Sequence, residues 1–119
     1  MNVHTIRVCN RQILFSDRKI VANGQNSDYI TLKLDDEWEG RRVLIVLGSG
    51  YDSLVCEYKG DPVPFPNALL QTPRNVPVSI VGYFTAEDGT ESRIVTAQSE
   101  KSFEIIESGA LPAQGQVIA

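Results

Sequence analysis

The residues of this sequence best suited to chemistry are one histidine, two cysteines and a run of carboxylates around the only tryptophan, Asp35-Asp36-Glu37-Trp38-Glu39-Gly40. The run has the charge of a calcium loop but lacks the spacing and the glycine of an EF-hand. Burying so many carboxylates would cost too much free energy, so we predict a solvated hairpin turn. Trp38 is expected to fold back over the edge of the sheet, with its indole N–H bonded to a partner.

The remaining reactive side chains are His4, Cys9 and Cys56, and their spacing forms no known site. A zinc site needs several such ligands at characteristic intervals, and one histidine near the terminus does not assemble a Ser-His-acid triad. We interpret His4 as a surface or strand-end residue, Cys56 as a small buried hydrophobe, and both thiols as reduced. The sequence therefore predicts no catalytic residue, no cofactor and no metal, and a protein that is not an enzyme.

Composition and charge exclude several classes of partner. The chain has 119 residues, 42% of them hydrophobic and 22% charged, as in an ordinary soluble domain. With a formal net charge of -4 and only two adjacent basic pairs, nothing indicates nucleic-acid binding. No apolar stretch is long enough to span a membrane, and the amino terminus lacks the apolar core of a signal peptide. We therefore expect a protein made and assembled in a cytoplasm.

Short alternating runs recur about every ten residues, separated by turn residues, and no helical period exceeds about one turn. This pattern predicts an all-β fold over residues 1–108: an antiparallel β-sandwich of about eight short strands, immunoglobulin-like or jelly-roll-like, with an open barrel as the alternative. Alternation within the strands assigns the core to Ile30, Leu32, Leu34, Val43, Ile45, Leu47, Val78, Ile80, Ile94 and Phe103.

Two segments depart from the strand pattern. The proline-rich run 60–66 is expected to be an extended crossover, with a single helical turn opened by Pro66. Residues 109–119 carry no charged side chain and are predicted to be a tail or linker. The sizeable apolar side chains of the tail and a strand-like end make it a candidate partner-binding segment, through Leu111, Gln116, Val117 and Ile118.

Exposed aromatic side chains offer a second kind of binding surface. Tyr51, Tyr58 and Phe65 could stack on sugar rings, as in sandwich lectins. Tyr58 is better explained as half-buried in its strand, and Phe65 between two prolines as a plug over one end of the fold. A carbohydrate-binding module that recognises a host surface glycan is therefore kept as the alternative function.

The order of motifs along residues 28 to 108 resembles a known family. An Asp-Tyr-Ile-Thr-Leu-Lys-Leu-Asp strand with Glu-Trp-Glu-Gly leads to a hydrophobic strand, and a proline-rich crossover ends in Leu69-Leu70. A Val-Ser-Ile-Val-Gly-Tyr-Phe strand and an Arg-Ile-Val-Thr return strand follow. The order is similar to the N-terminal β-sandwich domain of upper-baseplate-type tail appendage proteins from phages of Gram-positive bacteria.

The resemblance implies a virion structural protein that docks on other phage structural proteins, in several copies, within a baseplate, tail or appendage. A family member carries a downstream stalk and a receptor-binding part, whereas these 119 residues contain neither. For these residues the resemblance therefore implies the docking role and not the receptor-binding role. Capsid decoration or a head fibre is equally compatible, with homo-oligomerisation within the virion and assembly in the host cytoplasm.

Overall fold

Most of the residues that the structure describes lie in β-strands. A computed structural model describes residues 2–22, 28–85 and 87–107, apart from the side chains of residues 85 and 91–94. The nine strands of these ranges are β1 (Asn2–Cys9), β2 (Gln12–Phe15), β3 (Lys19–Val21), β4 (Asp28–Leu34), β5 (Arg42–Leu47), β6 (Leu54–Tyr58), β7 (Val63–Pro64), β8 (Arg74–Thr85) and β9 (Glu91–Ile106). Short 3-10 turns occupy Asp36–Trp38, Gly50–Asp52 and Asn67–Leu69.

All nine strands belong to one mixed sheet. Eight of them follow the order β6-β5-β8-β9-β2-β1-β4-β7, and β3 pairs with β9 off this path. β1 runs parallel to β4 over seven residue pairs, and β2 and β3 run parallel to β9. The remaining neighbours are antiparallel. The all-β prediction is confirmed, whereas the entirely antiparallel sandwich, immunoglobulin-like or jelly-roll-like, is not.

The sheet curls until it is nearly closed into a barrel. Across the remaining gap, the hydroxyl of Tyr58 on β6 donates a 3.2 Å hydrogen bond to the carbonyl of Leu32 on β4. The same hydroxyl lies 3.2 Å from the hydroxyl of Thr31. Side chains, rather than a further ladder of backbone hydrogen bonds, therefore join the two ends of the sheet, which is close to the open-barrel alternative.

The interior of this curled sheet is apolar, and Phe103 of β9 lies near its centre. Its ring packs edge-on against Phe15, 5.1 Å between centroids, and against Phe65, at 5.5 Å. Leu34 of the predicted core is half-buried, and the side chain of Ile94 lies outside the described residues. The other predicted core residues are buried: Ile30, Leu32, Val43, Ile45, Leu47, Val78, Ile80 and Phe103.

The proline-rich crossover has the predicted form. It contains only the two-residue strand β7, because the three prolines between residues 61 and 67 lack the N–H donors of a longer ladder. Pro66 precedes a single 3-10 turn, Asn67–Leu69, and Phe65 is buried beneath it. The crossover therefore brings Phe65 into the core beside Phe103, and this burial agrees with the predicted plug.

Replacing Leu32 by Ala is expected to lower the free energy of unfolding by about 2–5 kcal/mol, because its buried methyl groups leave a cavity. Val55→Ala is the control, since Val55 also lies on a strand but is 57% exposed. Urea unfolding followed by Trp38 fluorescence measures both. Equal midpoints for Leu32→Ala and the unsubstituted chain would show that the register of β4 is wrong.

Candidate functional site: an opening between two strands

His4 is buried inside the fold, so the prediction of a surface or strand-end histidine is wrong. Its side chain is only 7% exposed. His4 lies in phase with Ile6 and Val8 on β1, and all three side chains are buried. This alternation was available in the sequence, but the inward position follows from β1 lying between β2 and β4.

Both nitrogens of the His4 imidazole are hydrogen-bonded to carboxylates. Nδ1 is bonded to Oδ1 of Asp17, and Nε2 lies 2.8 Å from Oδ1 of the buried Asp28. Each contact joins the ring to a carboxylate on another segment of the chain. Since neither nitrogen is left to accept a proton from a substrate, we interpret the group as a structural link between β1, β4 and the loop after β2.

The loop held by His4 forms one end of an opening between β2 and β9. These two strands pair only where Gln12 lies opposite Gln98. At the other end, the peptide N–H of Glu104 donates to the carbonyl of Arg18 at 2.6 Å. The Arg18 guanidinium donates to the Ser102 carbonyl at 3.3 Å. Between these two attachments the strands separate around a cavity of about 700 Å³, the β2–β9 opening, lined by residues 12–18 and 98–101.

A bulge in β9 produces this separation. The register of β9 against β8 shifts from Ser79 opposite Gln98 to Pro77 opposite Ser102. Residues 99–101 therefore lie opposite Val78 alone, and such an excess of residues bends a strand. The bulge also coincides with Pro77, which has no N–H for a ladder. The sequence shows Pro77, but the bulge opposite the neighbouring Val78 depends on the pairing of two distant segments.

The edge of β2 that faces the opening keeps part of its hydrogen-bonding capacity. Ser16 donates its N–H to Thr5 on β1 at 2.9 Å. Because peptide groups alternate in direction along an antiparallel strand, those of Ile13 and Phe15 point away from β1 and toward β9. Within the described ranges, the only register pair between β2 and β9 is Gln12 with Gln98. The Phe15 peptide group is thus presented to the opening.

The lining of the opening is polar with an apolar margin. Asp17 and Glu100 are balanced by Arg18 and Lys101, so the formal charge of these four side chains sums to zero. Leu14, at the margin, is 54% exposed. A surface with strand-edge groups, no net charge and an exposed leucine suits an extended polypeptide segment.

The acidic turn is more firmly attached than predicted. Trp38 is buried, 2% exposed, and its Nε1 has no hydrogen-bond partner among the residues described, so the expected partner is not found. The indole packs on Gly82 of β8, where an added Cβ would lie 3.0 Å from the ring. The glycine of a distant strand therefore provides the space for the tryptophan.

Polar contacts join the same turn to the β1–β2 hairpin. The peptide N–H of Asn10 donates to Asp35 at 2.9 Å, and the Arg11 guanidinium donates to Glu37 at 2.5 Å. The hydrogen bond and the charge of Glu37 raise the pKa of Arg11. These contacts give the acidic run a structural role at the end of β4.

The aromatic residues considered for sugar stacking do not form one surface. Phe65 is buried against Phe103, as expected for a plug. Tyr58 is half-buried, also as predicted, and its hydroxyl is used in the barrel gap. Tyr51 is fully exposed on the Gly50–Asp52 turn.

The two cysteines are free thiols, as predicted. Cys56 is half-buried and packs against the core, and burial raises the pKa of its thiol. Cys9 is exposed at the end of β1. Among the residues that the structure describes, no group of three or more His, Cys, Asp and Glu side chains is placed to hold a metal ion.

Chelation is expected to leave the melting temperature unchanged, because the ligands around His4 and the cysteines lack metal-site spacing. The measurement compares thermal unfolding with and without EDTA, together with elemental analysis of the purified protein. A stoichiometric zinc or calcium signal, lost along with stability on chelation, would contradict this expectation.

The candidate partner-binding residues Leu111, Gln116, Val117 and Ile118 lie outside the described residues, as does the whole of the predicted tail 109–119. In comparisons with known proteins, the chain matches no family model and no curated protein.

None of the helices in the described part of the chain is long and apolar enough to cross a membrane.

Proposed function

We propose that this protein is a phage virion structural protein without enzymatic activity. It acts as a docking module in a tail baseplate or appendage, or as a capsid decoration or head-fibre protein. Its partners are other phage structural proteins and further copies of itself, and it is assembled in the host cytoplasm. The β2–β9 opening carries this proposal, since it presents a strand edge beside the exposed Leu14.

The order of motifs adds support to the docking role. The resemblance to upper-baseplate-type domains involves β4, the acidic turn, the proline-rich crossover and the β8–β9 hairpin, which together form most of the barrel wall. The contacts of these elements are structural: Trp38 fills the space over Gly82, and Phe65 plugs one end. A module of this kind binds through its edges and margins.

We also propose that the curled sheet is best classified as a two-layer sandwich related to the immunoglobulin-like and jelly-roll-like folds. One layer is β6-β5-β8-β9 and the other is β2-β1-β4-β7, and a single residue pair, Gln12 with Gln98, links them along the path. The apolar side chains of both layers meet in the interior. An experimental structure that shows continuous pairing of β2 with β9 would favour a closed barrel instead.

The alternative function is a carbohydrate-binding module for a host surface glycan. The observation that favours it is the polar lining of the opening, where the amides of Gln12 and Gln98 and the hydroxyls of Ser16 and Ser99 could bond to sugar hydroxyls. Tyr51, the fully exposed aromatic side chain, lies on a different turn and does not line this opening. The docking role therefore has the stronger support.

Purified particles of a phage that encodes this chain test the proposal. We expect mass spectrometry to detect the chain at a fixed ratio to the major virion proteins, and an electron-microscopy map to show a domain of this shape repeated by the particle symmetry. Absence of the chain from washed particles would refute the proposal. Binding to an array of cell-wall glycans, together with that absence, would support the carbohydrate alternative.

A further inference from the structure

We propose that the β2–β9 opening binds residues 109–119 of a neighbouring copy of this chain, with Gln116–Ile118 added as a short strand along the free edge of β2. This inference rests on the proposed docking role and names one of its partners, a second copy of the same protein. Strand addition to an exposed edge is a common way for proteins to bind extended segments. Four features of the opening and the tail support it.

The first feature is the length of the free edge. The opening spans residues 13–17 of the chain, between the Gln12–Gln98 pair and the attachment of Arg18 to β9. At a rise of about 3.3 Å per residue, five residues cover roughly 17 Å. A strand of three residues, about 10 Å long, fits within that length. The N–H and carbonyl of Phe15 supply the edge on which it would pair.

The second feature is the apolar side chains on the two faces of β2. Leu14 points to the outside, 54% exposed, and Phe15 points inward to Phe103. Successive side chains of an added strand also alternate between the two faces. Val117 and Ile118 would therefore lie on opposite faces, one beside Leu14 and the other beside Phe15. The tail has two adjacent apolar residues for two adjacent apolar positions.

The third feature is charge. Each copy carries a formal charge of -4, so two copies repel each other at low salt. Residues 109–119 carry no charged side chain, and the four charged residues of the opening sum to zero. Contact through the tail and the opening therefore joins an uncharged segment to a lining with no net charge.

The fourth feature explains why the occupant comes from a neighbour. The tail continues from the end of β9, beyond Ile106. Between that end and the opening lie the contacts of Arg18 with Ser102 and Glu104, which close the near end of the opening. A tail that returned to its own opening would have to reverse direction and pass this closed end. A tail from a second copy is not tied to this end of β9 and does not meet that constraint.

Light scattering of the full-length protein over a concentration series tests the inference. We expect the mass to rise above the 13.1 kDa of a monomer with increasing concentration. Leu14→Lys and Ile118→Asp should each weaken this association about tenfold or more. Deleting residues 110–119 should abolish association while leaving the melting temperature nearly unchanged.

Two matched controls make the test specific. Val55→Lys places the same charge on another exposed strand residue, 57% exposed on β6, away from the opening. Gln114→Asp places the same charge in the tail but outside the added strand. Both should associate like the unsubstituted protein. Equal weakening by the control and test variants would overturn the inference, because the effect would then be one of charge alone.

A synthetic peptide of residues 109–119 gives a second measurement. Added to full-length Ile118→Asp protein, it should shift the amide NMR signals of residues 13–17 and 99–101. A monomer at every concentration, an absence of peptide-induced shifts, or shifts confined to other strands would each refute the inference. Incorporation into phage particles by the deletion variant would leave the docking role intact, so the two proposals fail separately.

Discussion

Replacing Phe103 by Ala is expected to lower the free energy of unfolding by about 3–5 kcal/mol, since large aromatic-to-alanine changes in cores leave the largest cavities. Phe103 is fully buried and packs against the rings of Phe15, Phe65 and His4. The cost is a large fraction of the roughly 5–15 kcal/mol by which a domain of this kind is stable. Urea unfolding at neutral pH measures the difference.

Phe84→Ala is the matched control, because Phe84 lies on a neighbouring strand and is 51% exposed. The same atoms are removed there, and we expect a change within about 0.5 kcal/mol. If both variants lose equal stability, Phe103 does not occupy the centre of the fold. If neither does, the curled arrangement of the sheet is itself incorrect.

Replacing His4 by Leu is expected to cost about 3–5 kcal/mol, as when one partner of a buried ionic pair is removed. The imidazole lies between two carboxylates, and that of Asp28 is buried with it. Leucine fills a similar space but donates no hydrogen bond to either carboxylate. The loop that carries Asp17 also loses its attachment, so the end of the β2–β9 opening should loosen.

A double-mutant cycle separates the two carboxylates. The coupling of His4 with Asp28, measured with Asp28→Asn, should be larger than its coupling with Asp17, whose side chain is 54% exposed and partly screened by water. Amide exchange at Ser16 and Arg18 reports on the loop. Equal free energies of unfolding for His4→Leu and the unsubstituted protein would show that the network makes no net contribution to stability. Some buried ion pairs likewise make none.

The alternating pattern of the sequence by itself determined the strands and most of the core. Ile30 and Leu32 on one strand, and Val43, Ile45 and Leu47 on another, are buried because a strand in a curled sheet has one face toward the interior. The crossover was also readable, since Pro62, Pro64 and Pro66 exclude a long ladder whatever surrounds them. These are local properties, so they can be predicted from residues that are close together in the sequence.

The tertiary structure alone decided the partners of those strands. The parallel pairing of β1 with β4, the burial of His4 against Asp17 and Asp28, and the fit of Trp38 on Gly82 each join segments more than a dozen residues apart. The β2–β9 opening likewise lies beside a bulge of β9 opposite Val78, where residues 99–101 have no ladder partners of their own. Alternation shows which side chains face inward, but it does not show which strands pair with each other. Pairing depends on contacts between segments that are far apart in the sequence.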